Sequence, residues 1–313
     1  MQTIVECVPN FSEGRNRETV EQIAAAMETV PDVFVLDLHM DPDYHRSVIT
    51  FVGTKETVGE AAVRAVGRAT ERIDMNRHRG EHPRIGAADV VPFVPVQGVT
   101  LEECAEIAHK TGEEIFRRFQ IPVYFYGAAA LRPERVHIEN VRRGGYERLK
   151  ELGLEDPSRR PDMGEPRLHP TAGATMVGAR SFLIAFNVNL DCADRKVAEE
   201  IARKIRASGG GLSGVKAMGV LLESRSVGAQ AGQAQVSMNL TDLEQTPLAQ
   251  AYRAVEQEAA RRGITIHSSE IVGLVPQKAL AGVRPEDLKL VEFDPQKILE
   301  NRLAAVLARR AAR

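Results

Sequence analysis

Phe182-Leu-Ile-Ala-Phe-Asn-Val-Asn189 and the stretch Asp194 to Arg206 that follows it decide the fold class. The first reads as a strand and the second as a helix. Together they repeat the layout of Ile4 to Asn10 and Arg15 to Thr29, where Val20, Ile23, Ala24 and Met27 recur at helical spacing. Outward from Asn189 the chain reads as strand over Val215 to Leu222 and Ala234 to Leu240, helix over Pro247 to Arg262, and strand over Thr265 to Val272.

The first half follows the same order. Strands are expected at Thr3 to Val8, Val33 to Leu38 and Ser47 to Val52, the last two joined by the polar turn Met40-Asp41-Pro42-Asp43. A second helix begins near Lys55 with Thr54 as N-cap and turns Val58, Ala62, Val66 and Ala69 inward. Val90 to Val96 is a strand that its prolines assign to a sheet edge, because proline cannot donate to a central ladder. Thr100 caps a helix through Phe119, with Glu103 completing a capping box, and Val123 to Tyr126 is one more strand.

The order β, α, β, β, α, β thus occurs twice. It predicts an α+β fold of two ferredoxin-like subdomains with mixed or antiparallel sheets, the first enlarged by an extra helix and strands. The boundary falls near Arg180, giving subdomains 1–180 and 181–313. Leu131 to Met163, rich in Arg, Glu, Gly and Pro, reads as a surface excursion, and Pro295 to Arg313 as a solvated helix with a basic end.

Composition narrows the function classes. The 313 residues are 43% hydrophobic and 27% charged, which supports self-sufficient cores without disulfides. With 41 Lys plus Arg against 43 Asp plus Glu, the formal net charge of -2 offers no polycationic field for nucleic acid. No apolar run approaches the roughly 20 residues of a membrane span, and Met1 to Asn10 lacks the basic start and apolar stretch of a signal peptide, so a cytoplasmic protein is expected. Cys7, Cys104 and Cys192 are far apart and in no C-x-x-C spacing, which argues against a disulfide framework or a zinc ribbon.

Chemistry concentrates in Arg77-His78-Arg79-Gly80-Glu81-His82-Pro83-Arg84, within a connection of about 15 residues that has no useful periodicity. Three readings compete. His78-x-x-Glu81-His82 matches an inverted zinc-peptidase pattern, but that pattern needs a helix, which Gly80 and Pro83 oppose. The second is proton transfer by one histidine in an arginine-rich pocket, which suits an anionic substrate. The third is a solvated loop without a role; the length of the connection and the density of its charges favour the second.

The motifs Val5-Glu-Cys-Val-Pro-Asn-Phe-Ser-Glu-Gly14, Ile73-Asp-Met-Asn-Arg-His78, Gly80-Glu-His-Pro-Arg-Ile-Gly86 and Gly173-Ala-Thr-Met-Val-Gly-Ala-Arg180 resemble those of the glutamate formimidoyltransferase (formiminotransferase) family. The likeness continues through Ala185-Phe-Asn-Val-Asn-Leu190 and Gln235-Val-Ser-Met-Asn-Leu240 to Glu270-Ile-Val-Gly-Leu-Val-Pro276, in matching order. The resemblance implies transfer of the formimino group from N-formimino-L-glutamate to tetrahydrofolate as co-substrate, releasing glutamate, in histidine degradation. It further implies no metal, a homodimer of two-subdomain protomers, and a folate groove between the subdomains. In the animal members the unit is fused to a cyclodeaminase; this chain ends after the transferase portion, so a separate cyclodeaminase would act next.

The family's catalytic histidine falls on His82, where it would take the proton of the incoming amine and return it to the outgoing one. Its folate segment falls on Met163, Gly164, Glu165, Pro166, Arg167, Leu168, His169, Pro170, Thr171 and Ala172. Animal members carry tryptophan where Ala172 stands, and a lost aromatic removes stacking surface for folate. Candidate contacts to the substrate are Asn10, Asp37, Asp41, Arg46, Arg84, Asn187 and Asn189. The crowd Asp37, His39, Asp41, His45 and Arg46 reads equally as a polar hairpin, and Asn10, Ser12 and Glu13 as a helix cap. Lys216 and Gly209-Gly-Gly-Leu-Ser-Gly214 would receive a folate glutamyl tail or form a helix exit. His109, His137 and His267 carry no assigned role. Two other activities stay open: formyl transfer between 5-formyl-tetrahydrofolate and glutamate, and non-catalytic binding of folate or an amino acid.

Overall fold

The computed structural model describes residues 3–80, 82–222, 230–291 and 293–311, with side chains described through residue 308. The chain divides into two compact units, Met1–Arg180 and Ser181–Arg313. Each is a sheet with helices packed on it, a mixed α+β architecture. No helix among the described residues is long and apolar enough to cross a membrane.

In the N-terminal unit β1 (Ile4–Cys7) and β2 (Asn10–Phe11) both run between β4 (Arg46–Gly53) and β5 (Ala88–Gln97), antiparallel to each. The strand β3 (Phe34–Asp41) pairs with β4. Beyond β5 the sheet is extended by β7 (Thr175–Ala179) and then β6 (Val123–Gly127), in parallel ladders. Three helices cover one face: α1 (Arg17–Glu28), α2 (Val58–Arg72) and α3 (Leu101–Phe119). Their apolar stripes, Val20, Ile23 and Met27, then Val58, Ala62, Val66 and Ala69, then Cys104, Ala108 and Ile115, meet Val5, Cys7, Phe51, Phe93 and Val177 of the strands in one core.

Thr100 and Glu103 form the expected capping box, each side chain bonding the other's backbone N–H. The start of α2 lies further on than Lys55. Thr54 turns the chain instead: its carbonyl accepts from the N–H groups of both Thr57 and Val58 before the helix begins. At α1 the capping side chain is Asn16, which accepts from the Thr19 N–H, while Glu13 accepts from those of Arg15 and Asn16.

Two sequence expectations change. The strand β5 is central, with partners on both sides. Its prolines are tolerated because they meet irregular stretches of the ladder. The Pro92 carbonyl accepts from Val8 in the gap between β1 and β2, and the register shifts between Ile4 and Val5, the partner of Pro95. The segment 131–163 is also more than a surface excursion. It forms α4 (Ile138–Arg142) and α5 (Gly145–Leu152), and Leu149 and Leu154 pack with Val90, Tyr124, Tyr126 and Met176 as a second, smaller core.

The C-terminal unit runs β8 (Ile184–Leu190), α6 (Arg195–Ile205), β9 (Val215–Leu221), β10 (Ala234–Leu240), α7 (Leu248–Ala260) and β11 (Ile266–Val272). Its four strands lie in the order β11-β8-β10-β9, all antiparallel. Phe186, Val188 and Leu190 face Ile201, Ile205, Tyr252 and Val255 in its core, so alternation puts Asn187 and Asn189 on the other side of β8. The chain ends in α8 (Leu299–Ala311).

The loop 74–87 is tied at both ends to the segment before β7. The N–H groups of Met75 and Ala87 donate to the carbonyls of Thr171 and Ala172, and that of Ala174 to Ile85. Gly86 and Gly173 meet backbone to backbone. A Cβ on Gly86 would lie 1.8 Å from the Ala174 carbonyl oxygen, and Gly173 adopts a φ of 73°. Gly86→Ala is therefore expected to cost about 1–3 kcal/mol of unfolding free energy or more, read as a lower urea midpoint with an unchanged slope.

Candidate functional site

Three pieces of the N-terminal unit converge on a small cavity: the segment after β2, the β3–β4 turn, and the loop 74–87. Phe11 and Ser12, then Tyr44, His45 and Arg46, then His78, His82, Arg84 and Asp89 line it. The pieces approach closely because glycines face backbone. A Cβ on Gly80 would lie 2.5 Å from the Tyr44 carbonyl oxygen, and one on Gly14 2.4 Å from the Arg46 nitrogen. His45 closes the turn with a φ of 48°, in the left-handed region. The cavity measures about 10 Å³, room for a single water.

His82 stands half-buried in this site, with its Nδ1 buried and without a hydrogen-bond partner among the described residues. The Tyr44 ring meets it edge-on at 6.0 Å between centroids. Burial, then the guanidiniums of Arg46 and Arg142, hold its pKa well below the usual histidine value. The imidazole is thus neutral near pH 7, with one nitrogen free to accept a proton.

His78 is spent on structure. Its Nδ1 accepts from Arg84 Nε at 3.0 Å, so Nε2 carries the hydrogen and donates to the His45 carbonyl at 2.9 Å. The His45 ring lies 4.4 Å away and its Nδ1 accepts from the Gly14 N–H at 3.1 Å. Both nitrogens of His78 are committed, so the zinc arrangement lacks its first ligand; Glu81, its proposed base, lies outside the described residues.

Arg84, expected to clamp a substrate carboxylate, holds Glu147 of α5 instead, in a bidentate pair at 2.7 and 2.9 Å. Nη2 also reaches the His78 carbonyl at 3.2 Å, so the whole fork is engaged inside the protein. Asp41 likewise serves the hairpin. Its Oδ1 accepts from the N–H groups of Asp43 and Tyr44 at 2.9 Å each, and burial raises its pKa. Arg46 differs from both: its side chain makes no hydrogen bond or ion pair with a described residue. Burial and the neighbouring Arg142 lower its pKa to about 10.

The remaining candidates are not among the residues that line the cavity. Asn10 is on β2 and donates to the Val8 carbonyl at 2.9 Å, and Asp37 pairs with Thr50 across β3 and β4. Asn187 and Asn189 belong to the C-terminal unit, where they donate to Glu270 and Ser268 at 2.9 Å each, and Asn189 also accepts from Gln235. The backbone N–H groups of Gly209, Gly210 and Gly211 bond the carbonyls of Arg206 and Ala207, so that run is a helix exit and does not offer them to a glutamyl tail. Lys216 lies on β9 opposite Asn239. His109 bonds the Ala129 carbonyl and packs on Phe125.

The segment 163–172 borders the loop that carries His82. Pro170 accepts from Asn76, and His169 Nδ1 accepts from the Ala172 N–H at 2.9 Å. Arg167 is exposed, whereas Ala172 is only 2% exposed and belongs to the main core. Its methyl group points into protein, so the stacking surface expected from an aromatic at this position has no counterpart here.

The sequence reading passed over Arg142, Glu147, Asp89 and Tyr44. Asp89 left a trace: a carboxylate opening the apolar run Ala88 to Val91 must be paired when buried. It accepts from the Ile85 N–H at 2.7 Å and from Arg142 Nη2. Arg142 and Glu147 left none, because charged residues on two short helices fit any solvated segment.

Burial of neutral His78 has a consequence for stability. Its pKa falls from 6.5 to about 4, with burial the largest cause. Between those values the unfolded chain binds the proton that the folded state refuses, so stability declines as pH falls through that window. A loss of about 3 kcal/mol is expected from pH 7 to pH 4, measured by urea unfolding, and His78→Asn should flatten the slope.

Comparison with known proteins supplies the family. Residues 4–180 match the model of the formiminotransferase domain, N-terminal subdomain, and residues 185–284 that of the formiminotransferase domain. The glutamate formimidoyltransferase of Streptococcus pyogenes serotype M1 is 45% identical over 304 residues, covering 97% of this chain and 99% of that one. The enzyme of the same name from Thermoplasma acidophilum is 45% identical over 303 residues, 96% of this chain and 97% of that one. The formimidoyltransferase-cyclodeaminase of Gallus gallus is 42% identical over 97% of this chain but 57% of its own length. Matched along nearly its whole length, the chain belongs to the formiminotransferase family.

Proposed function

We propose that this protein is a glutamate formimidoyltransferase that moves the formimino group of N-formimino-L-glutamate to tetrahydrofolate, its co-substrate, with His82 as general acid and base. The observation that carries the role of His82 is its buried Nδ1, without a hydrogen-bond partner among the described residues, on a neutral ring among arginines. The folate amine adds to the amidine carbon, forming a carbon–nitrogen bond, and gives its proton to the imidazole. The same proton passes to the glutamate nitrogen as its bond to that carbon breaks, leaving glutamate and the formimino-folate.

Arg46 is the guanidinium left for a donor carboxylate, since Arg84 is engaged with Glu147. The cavity's small volume means that the donor enters by displacing Tyr44 or the loop around His82. Segment 163–172 is the proposed folate contact, through exposed Arg167 and half-buried His169 rather than Ala172. The strand orders support reading each unit as a ferredoxin-like subdomain of a formiminotransferase, and the reading carries with it the folate groove, homodimer and cytoplasmic setting that the resemblance implies.

The test mixes purified protein with N-formimino-L-glutamate and tetrahydrofolate and measures free glutamate and formimino-folate. Wild type should form both, and His82→Ala should lose about 10²–10⁴-fold in kcat. Arg46→Gln should raise the KM for the donor about tenfold or more while kcat changes little. Turnover only with 5-formyl-tetrahydrofolate and glutamate would replace this reading with formyl transfer. Tight binding without turnover would replace it with a binding protein.

A further inference from the structure

Glu147 lines no part of the cavity, yet it anchors the residues that do. It reaches Arg84 from α5 through both carboxylate oxygens, and the neighbouring Tyr146 N–H donates to the Arg84 carbonyl at 2.8 Å. Arg84 is 8% exposed and passes the constraint on, through Nε to His78 Nδ1 and through Nη2 to the His78 carbonyl. His78 completes the line by donating to the His45 carbonyl in the β3–β4 turn. The line therefore spans the loop from 78 to 84, inside which His82 sits, and ends on the turn that presents Tyr44 and Arg46.

We propose that Glu147 is a positioning residue for His82: through Arg84 and His78 it fixes where the loop 78–84 lies against the turn 42–46. The proposal deepens the reading of His82 as acid and base and rests on it. Three features make the carboxylate, rather than general packing, the active element. Its side chain is 53% exposed, so it contributes little to a core. Its two oxygens fit the planar fork of arginine, which no amide reproduces. It also offsets the Arg84 charge beside two other guanidiniums, Arg46 and Arg142, where Asp89 is the only carboxylate lining the cavity among the described residues. Without it, the Arg84 guanidinium is held only by His78, and the His78 ring keeps its hydrogen on Nε2 only while the loop stays where the His45 carbonyl can accept from it.

Glu147→Gln tests this in the intact protein. A displacement of the loop by about 1 Å costs the reaction roughly 10–100-fold, so kcat should fall at least about tenfold with donor and folate KM values held within about twofold. Added to His82→Ala, Glu147→Gln should cost nothing further, because its effect passes through His82. The His78 ring gives a readout that needs no turnover: nitrogen shifts at pH 7 should report one tautomer, hydrogen on Nε2, in wild type and a mixture in Glu147→Gln. An unchanged kcat, or an equal loss in the His82→Ala background, overturns the proposal, and so does a single His78 tautomer in the variant. If wild type transfers no formimino group, the reading of the reaction fails, and the His78 tautomer still decides the role of Glu147.

Discussion

Three guanidinium groups, from Arg46, Arg84 and Arg142, stand close to one imidazole, and the arrangement of the N-terminal unit around them is a solution to that crowding. Like charges in a partly desolvated space repel strongly unless carboxylates are brought to them. Asp89 meets Arg142 and Glu147 meets Arg84. Arg46 has no such partner among the described residues. Among the described residues the site thus keeps one cation without an ion-pair partner beside a neutral His82, which is what the proposed contact of Arg46 with a donor carboxylate rests on.

The balancing groups come from distant parts of the chain, and the backbone explains how they stay in place. The loop 74–87 has neither helix nor strand to hold it, but its two ends are bonded to residues 171–174, and the Gly86–Gly173 contact sets their separation. The motifs Gly80 to Gly86 and Gly173 to Arg180, far apart in sequence, are one structural piece. Between the fixed ends the loop is tied through Asn76 to Pro170 and Tyr146, through His78 and Arg84 to the β3–β4 turn and Glu147, and through the Ile85 N–H to Asp89, and of these ties those of His78 and Arg84 are the nearest to His82 on either side in the chain.

Local physics was legible in the sequence wherever one element contains its own reason. Thr100 and Glu103 announce a helix start, and Ala234 to Leu240 reads as strand over the bounds it adopts. The division after Arg180 coincides with a change of sheet. Non-local facts were not legible. Pro92 and Pro95 suggest an edge until the break at Val8 is known to lie beside them, and Arg84 looks like a free clamp until α5 delivers Glu147. His82 was found through a family motif and the density of charge around it; the neutrality of its ring follows only from its burial among arginines contributed by β4 and α4.

The place of β7 in the sheet also has a consequence for how the unit assembles. β5 and β6 are joined through α3 and would be natural neighbours, but a slot one strand wide separates them, and residues 175–179 fill it. During synthesis the chain emerges from its N-terminus, so the slot and the loop that depends on residues 171–174 stay unfinished until nearly all 180 residues of the unit are available. The last strand to be made thus closes the sheet and sets the loop of His82 in a single step, so that the reactive arrangement arises together with the completed unit rather than before it.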